Sequence, residues 1–168
     1  MTWCVVAALL ATSTVAPGSA KDLASVRSLI AKQGAQQALS VLVAAESEWD
    51  AFLDQIATGR AEWLTVAAAL RPVSDAHASE TLDIAIQEAL PRNAAGVLGL
   101  VAQGSFTAAG ACGMYGFGQV EDERPTSTLL GLVDKRLAAV SRVTDSRLVA
   151  PRDACLRELK FLRSSLGQ

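Results

Sequence analysis

The chain has 168 residues, with 15 basic and 17 acidic side chains and a formal net charge of −2; 51% of residues are hydrophobic and 5% aromatic. That apolar content is too high, and that charge too small, for a disordered chain. There is also no lysine or arginine excess of the kind a dedicated nucleic-acid binder carries.

Residues 1–20, MTWCVVAALLATSTVAPGSA, contain no charged side chain. An apolar run from Val5 to Ala11 is followed by small and turn-forming residues ending in Gly18-Ser19-Ala20. This is the layout of a secretory signal peptide cut after Ala20, with Ala16 as the second choice. The run is far shorter than the roughly 20 residues that span a bilayer, so no membrane span is expected. The stretch lacks the usual Lys or Arg ahead of the apolar run, and an N-terminal core helix is the competing reading. Cys4 precedes the apolar run instead of closing it, so it is not read as a lipoprotein acceptor.

With the leader removed, residues 21–168 form one domain holding two cysteines, Cys112 and Cys155. An even count in an exported chain reads as one disulfide. It would close a loop of about 44 residues, worth at most about 4 kcal/mol by loop entropy. The spacing fits no zinc pattern, because His77 is the only histidine.

Helical periodicity runs through nearly all of the mature chain. Leu23, Val26 and Ile30 mark a first helix over 22–32, which Gly34 breaks. Ala35, Ala38, Leu39 and Leu42 mark a second over 35–45. Trp49, Phe52, Leu53 and Ile56 lie at i, i+3, i+4, i+7 in a third that ends at Thr58-Gly59. Trp63, Val66, Ala67 and Leu70 repeat the pattern in a fourth, which stops before Pro72 because proline disfavours helix at the residue before it. Ser74 or Asp75 caps a fifth, with Leu82, Ala85, Ile86, Ala89 and Leu90 inward. Asn93 caps a sixth, with Ala94, Val97, Leu98 and Val101 inward. Residues 104–125 lose the period and hold five glycines, so a long loop is predicted there. Thr126 caps a seventh helix lined by Leu130, Val133, Leu137 and Val140. After a break at 144–150 the last helix starts at Pro151, lined by Leu156, Leu159, Leu162 and Leu166.

The predicted class is all-α, a compact multi-helical domain of antiparallel helical hairpins. Residues 46–72 and 75–103 form two helical pairs of similar length, so a short HEAT- or TPR-like stack is the alternative. The residues themselves do not repeat.

Charge is uneven. Residues 21–123 hold 6 basic and 13 acidic side chains, and residues 124–168 hold 9 and 4. Either the last two helices are an ordinary basic hairpin on an acidic body, or Arg136, Arg142, Arg147, Arg152, Arg157, Lys160 and Arg163 form a face for an acidic partner.

No catalytic constellation emerges. The sequence has no G-x-S-x-G elbow and no S-x-x-K pair, and His77 is placed in the first turn of a helix as a surface or cap residue. His77, Glu80 and Asp83 make half a metal site at best, and Glu121-Asp122-Glu123 lacks the ligand spacing of a calcium loop. Glu46, Asp50 and Asp54 form one acidic stripe, read as a solvated helix face. A glycosidase would need carboxylates across a cleft. Gly113-Met114-Tyr115-Gly116-Phe117-Gly118 follows no strand, so it is not read as a phosphate cradle. No cofactor, no metal and no catalytic residue is therefore expected. The residues that stand out are Phe106, Met114, Tyr115 and Phe117, aromatic or soft side chains in the glycine-rich loop. They either fold back into the core or are presented to a partner. With Arg136, Arg142 and Arg157 they are the candidate partner-binding residues. Trp49 and Trp63 are read as core anchors.

Trp63-Leu64, Leu70-Arg71-Pro72 with Ser74-Asp75, the apolar run to Leu90-Pro91 and the Cys112/Cys155 pair resemble uncharacterised small exported all-helical proteins of Gram-negative bacteria. The resemblance covers residues 46–160 and implies a periplasmic location and no activity. The expectation is a periplasmic protein-binding module, in its most concrete form an immunity-type inhibitor of a delivered toxin. The alternatives are an accessory or structural protein of the cell envelope, or an enzyme whose carboxylate site only the fold assembles.

Overall fold

Asp22 opens the first helix. Its carboxylate accepts the backbone N–H of Ala24 and Ser25 at 3.3 and 3.1 Å, relieving two orphan donors of the first turn. The computed structural model describes residues 22–113 and 125–167, and no strand occurs among them. The leader, its cleavage point and Cys4 lie outside the described residues, as do Met114, Tyr115, Phe117 and Glu121-Asp122-Glu123.

Helix α1 spans Leu23–Val43 but bends at Gly34, whose φ of +80° and ψ of 163° leave the helical region. A side chain is strained at that φ, so glycine sets the break. The two pieces predicted from the sequence meet there. Helices α2 (Glu46–Ala57) and α3 (Ala61–Leu70) follow. Pro72 then converts the chain to a 3-10 turn over Arg71–Val73. Asp75, not Ser74, caps α4 (Ala76–Ala89), accepting Ala78 N–H at 2.8 Å. Asn93 caps α5 (Ala94–Ala102) through Gly96 N–H at 2.9 Å. The same Asn93 donates to the carbonyl of Gly59 at 2.8 Å, and Arg92 donates to that of Ala57 at 2.8 Å. The turn after α4 is thereby stitched to the turn after α2.

Three predicted boundaries are corrected. Residues 108–112 are not loop: Thr107 accepts the N–H of Gly110 at 2.9 Å and starts a short helix α6, Ala108–Cys112. Five residues are too few to show a period. Thr126 is not the cap of α7 (Thr126–Ser141) but its first residue. Pro125 precedes it with extended ψ, and its carbonyl accepts from Thr128 at 2.8 Å. Helix α8 (Val149–Leu166) begins two residues before Pro151, out of a 3-10 turn over Ser146–Leu148. Pro151 is still in the first turn, where a missing N–H costs nothing.

One apolar cluster runs through the helices. Trp49, Phe52 and Trp63 form its aromatic centre, with Phe52 5.5 Å from Trp49 and 5.9 Å edge-on to Trp63 between ring centroids. Helix α1 lies on α2 and α3, α2 packs on α4, and α3 packs on α5. The helices of the first pair thus sit on their counterparts in the second, as in a two-layer stack. Helix α4 leads on to α6, and α8 closes the far side against α5, α6 and α7. Abundant inward alanines, among them Ala38, Ala67, Ala85, Ala89 and Ala111, permit this close approach.

Candidate functional site

The root of the glycine-rich segment is held from three sides. Cys112 on α6 is bonded to Cys155 on α8, with Cα atoms 5.3 Å apart and both residues fully buried. Gln87 of α4, also fully buried, donates to the carbonyl of Gly110 at 2.8 Å and accepts from Arg136 at 3.4 Å. Gly110 itself presses on Asp83: a Cβ there would sit 2.7 Å from a carboxylate oxygen, so any larger residue would have to displace the Asp83 carboxylate.

Asp83 is 4% exposed. Its two oxygens accept from Arg71 Nε and Nη2 at 3.2 and 3.3 Å. A third nitrogen, Nη1, donates to Ser79 Oγ at 2.8 Å, which in turn lies 2.6 Å from Ser74 Oγ. The Arg71 guanidinium also stacks over Phe106, 5.6 Å from the ring centroid. The last member of the half metal site, Asp83, is thus turned inward and spent on an arginine, while His77 stays exposed. Among the described residues no group of three or more His, Cys, Asp or Glu side chains is placed to hold a metal ion.

Burial raises the pKa of Asp83 above its ordinary value, and the Arg71 hydrogen bonds and charge offset only part of that. A raised folded-state pKa means the folded protein binds the proton more tightly than the unfolded chain. The resulting stabilisation is complete below the unfolded value near pH 4 and is lost as pH rises through the folded value. In denaturant melts taken from about pH 4 upward, Asp83→Asn should therefore gain stability relative to the wild type as pH rises. A pH-independent difference between the two would refute this. Asp145 works oppositely. Hydrogen bonds from the Arg147 side chain and backbone pull its pKa down to about 2, so its contribution disappears only in strong acid.

The candidate partner-binding residues do not form one surface. Phe106 is 3% exposed and folded back beneath Arg71, so the core reading of this aromatic holds and the presented one is corrected. Arg136 is 6% exposed and engaged with Gln87 and further contacts, so it is not part of any basic face. Its i+3 relation to Val133 and i−3 relation to Ala139 put it on the buried side of α7. Of the rest, Arg147 pairs with Asp145 at 2.7 Å, Arg152 with Asp153 at 3.1 Å and Arg163 with Asp134 at 2.7 Å. Arg142, Arg157 and Lys160 are exposed and in no ion pair among the described residues. Of the seven bases of the predicted face, three are thus neutralised by their own neighbours, one is buried and three stay unpaired among the described residues.

A feature only partly visible in the sequence lies between α2 and α4. Helices α2 and α4 enclose a groove of about 240 Å³ lined by Asp50, Leu53, Asp54, Thr81, Ile84, Ala85 and Glu88. Leu53, Ile84 and Ala85 make an apolar floor, and three exposed carboxylates stand at the rim. Asp50, Asp54 and Glu88 enter no ion pair among the described residues. The i, i+4 stripe on α2 was visible in the sequence as a solvated face, but Glu88 joins it only through the packing of α4. The groove is smaller than the roughly 300–1,000 Å³ of sites that hold free small molecules. Its size suits one large side chain of a protein, and its rim suits a cationic one. No protein-family model matches the chain, and no curated protein or solved structure is similar to it beyond chance.

Proposed function

We propose that the protein is exported and acts as a protein-binding module, an immunity-type inhibitor of a delivered toxin being the most concrete form. The observation that carries the reading is the α2–α4 groove, an apolar floor ringed by three carboxylates without ionic partners among the described residues. Such a surface attracts a cationic protein segment over a distance and seats an aliphatic or aromatic side chain at short range. The buried Cys112–Cys155 bond supports the export part, since disulfides persist in oxidising compartments. No helix among the described residues is long and apolar enough to cross a membrane.

Two measurements test it. N-terminal sequencing of the native protein should find a chain beginning at Lys21; one still beginning at Met1 removes the export part. Periplasmic extract passed over immobilised protein should yield a stoichiometric basic partner. The triple charge reversal Asp50→Lys/Asp54→Lys/Glu88→Lys should lose it by at least about tenfold at low salt. Equal capture by both proteins would dismiss the groove as the binding surface.

A further inference from the structure

Helix α8 carries the molecule's most exposed large apolar side chain among the described residues. Phe161 is 66% exposed, although every other described aromatic is buried. At 100° per residue, Arg157 lies about 40° from it, Ser164 about 60° and Lys160 about 100°, all toward the outer face of the helix. Glu158 lies about 60° away on the other flank, toward the buried side. Arg157 and Lys160 have no ionic partner among the described residues, in contrast to Arg152 and Arg163 on the same helix. An aromatic ring beside two unpaired cations is the complement of an apolar floor beside three unpaired anions. The two surfaces belong to different sides of the molecule, since α2 packs on α1, α3 and α4 while α8 packs on α5, α6 and α7.

We propose that the groove of one copy receives α8 of a second copy, with Phe161 on the floor of Leu53, Ile84 and Ala85 and Arg157 and Lys160 against Asp50, Asp54 and Glu88. The proposal rests on the groove being a docking surface for a cationic protein, and it names the occupant. Two different patches meet, so the contact is heterologous, and each added copy leaves one groove and one α8 free. The contact is small and its charges are exposed, so association is weak and salt-sensitive. A cationic partner would compete with the second copy for the groove.

Sedimentation of the chain beginning at Lys21 tests this. The weight-average mass should rise above that of one such chain with increasing protein concentration at about 10 mM salt and return toward it at about 1 M. Asp50→Lys/Asp54→Lys destroys the groove and Arg157→Glu/Phe161→Ser destroys the insert, and each variant alone should associate at least about tenfold more weakly. All four positions are exposed, so the variants keep the fold. Mixed together they should form a 1:1 pair and nothing larger, because the first keeps an intact α8 and the second an intact groove. A wild type that stays at one chain's mass at the highest concentration, or a mixture that does not pair, overturns the proposal. If self-association fails while charge reversal in the groove still abolishes capture of a basic partner, only the second-copy assignment falls.

Discussion

Replacing Cys112 and Cys155 together with alanine should lower stability by up to about 4 kcal/mol, the loop entropy released to the unfolded chain by a closure of this length. For a chain of this size that corresponds to a fall in Tm on the order of 10 °C. The native helix content should barely change. Helix α6 is still held by Gln87 at the carbonyl of Gly110 and by the fit of Gly110 against Asp83, neither of which needs the sulfurs. Thermal unfolding followed by far-UV circular dichroism checks both halves. A loss below about 1 kcal/mol would mean that the unfolded chain keeps α6 near α8 without the bond. A loss of native helix signal would mean that the sulfurs, and not the polar contacts, position α6.

Trp63→Ala should cost about 3–5 kcal/mol, because the ring is 1% exposed and fills the centre of the core between α2 and α3. Its edge-on contact with Phe52 and the Phe52–Trp49 contact would be lost or loosened with it. Trp63→Phe separates volume from polarity. The Nε1 atoms of Trp63 and Trp49 are buried with no hydrogen-bond partner among the described residues, so phenylalanine removes a donor whose desolvation is uncompensated. It should cost well under half of the alanine loss in urea unfolding. An alanine variant within about 1 kcal/mol of the wild type would show that the core closes over the gap.

The helices were legible because their apolar residues recur at the helical period and their ends carry the residues that termini require. Asp75 and Asn93 cap where short oxygen side chains precede an apolar stripe, and Gly34 and Pro72 break where a positive φ or the proline ring demands it. Asp22, placed by periodicity as the first helical residue, is instead a cap. The signal fails where an element is shorter than the pattern that reveals it, as in α6, and at starts where a proline and a threonine compete, as at Pro125-Thr126. A loop aromatic such as Phe106 looks alike in core and surface roles until its neighbours are placed. Arg71, thirty-five residues earlier in the chain, settles it by lying over the ring.

The charge distribution shows most clearly what a linear reading omits. The excess of bases after residue 123 is real, but Arg147, Arg152 and Arg163 each find a carboxylate and Arg136 turns into the core. Pairing depends on which turns of α7 and α8 face one another, and composition carries no such register. The acidic stripe of α2 gained meaning in the opposite direction. On its own helix it is an ordinary solvated face, and only the seating of α4 adds Glu88, Thr81 and an apolar floor.

From the amino-acid sequence alone followed the all-helical class, most helix boundaries, the Cys112–Cys155 pairing and the burial of Trp49 and Trp63. These are local or counting properties: periodicity, caps and the number of thiols after residue 20. The tertiary structure decided which charges are neutralised, that Asp83 is buried against Arg71 and Gly110, and that a carboxylate-rimmed groove lies between α2 and α4. Those depend on the mutual rotation of helices distant in the chain, which is set by how alanines, leucines and tryptophans interlock in the core.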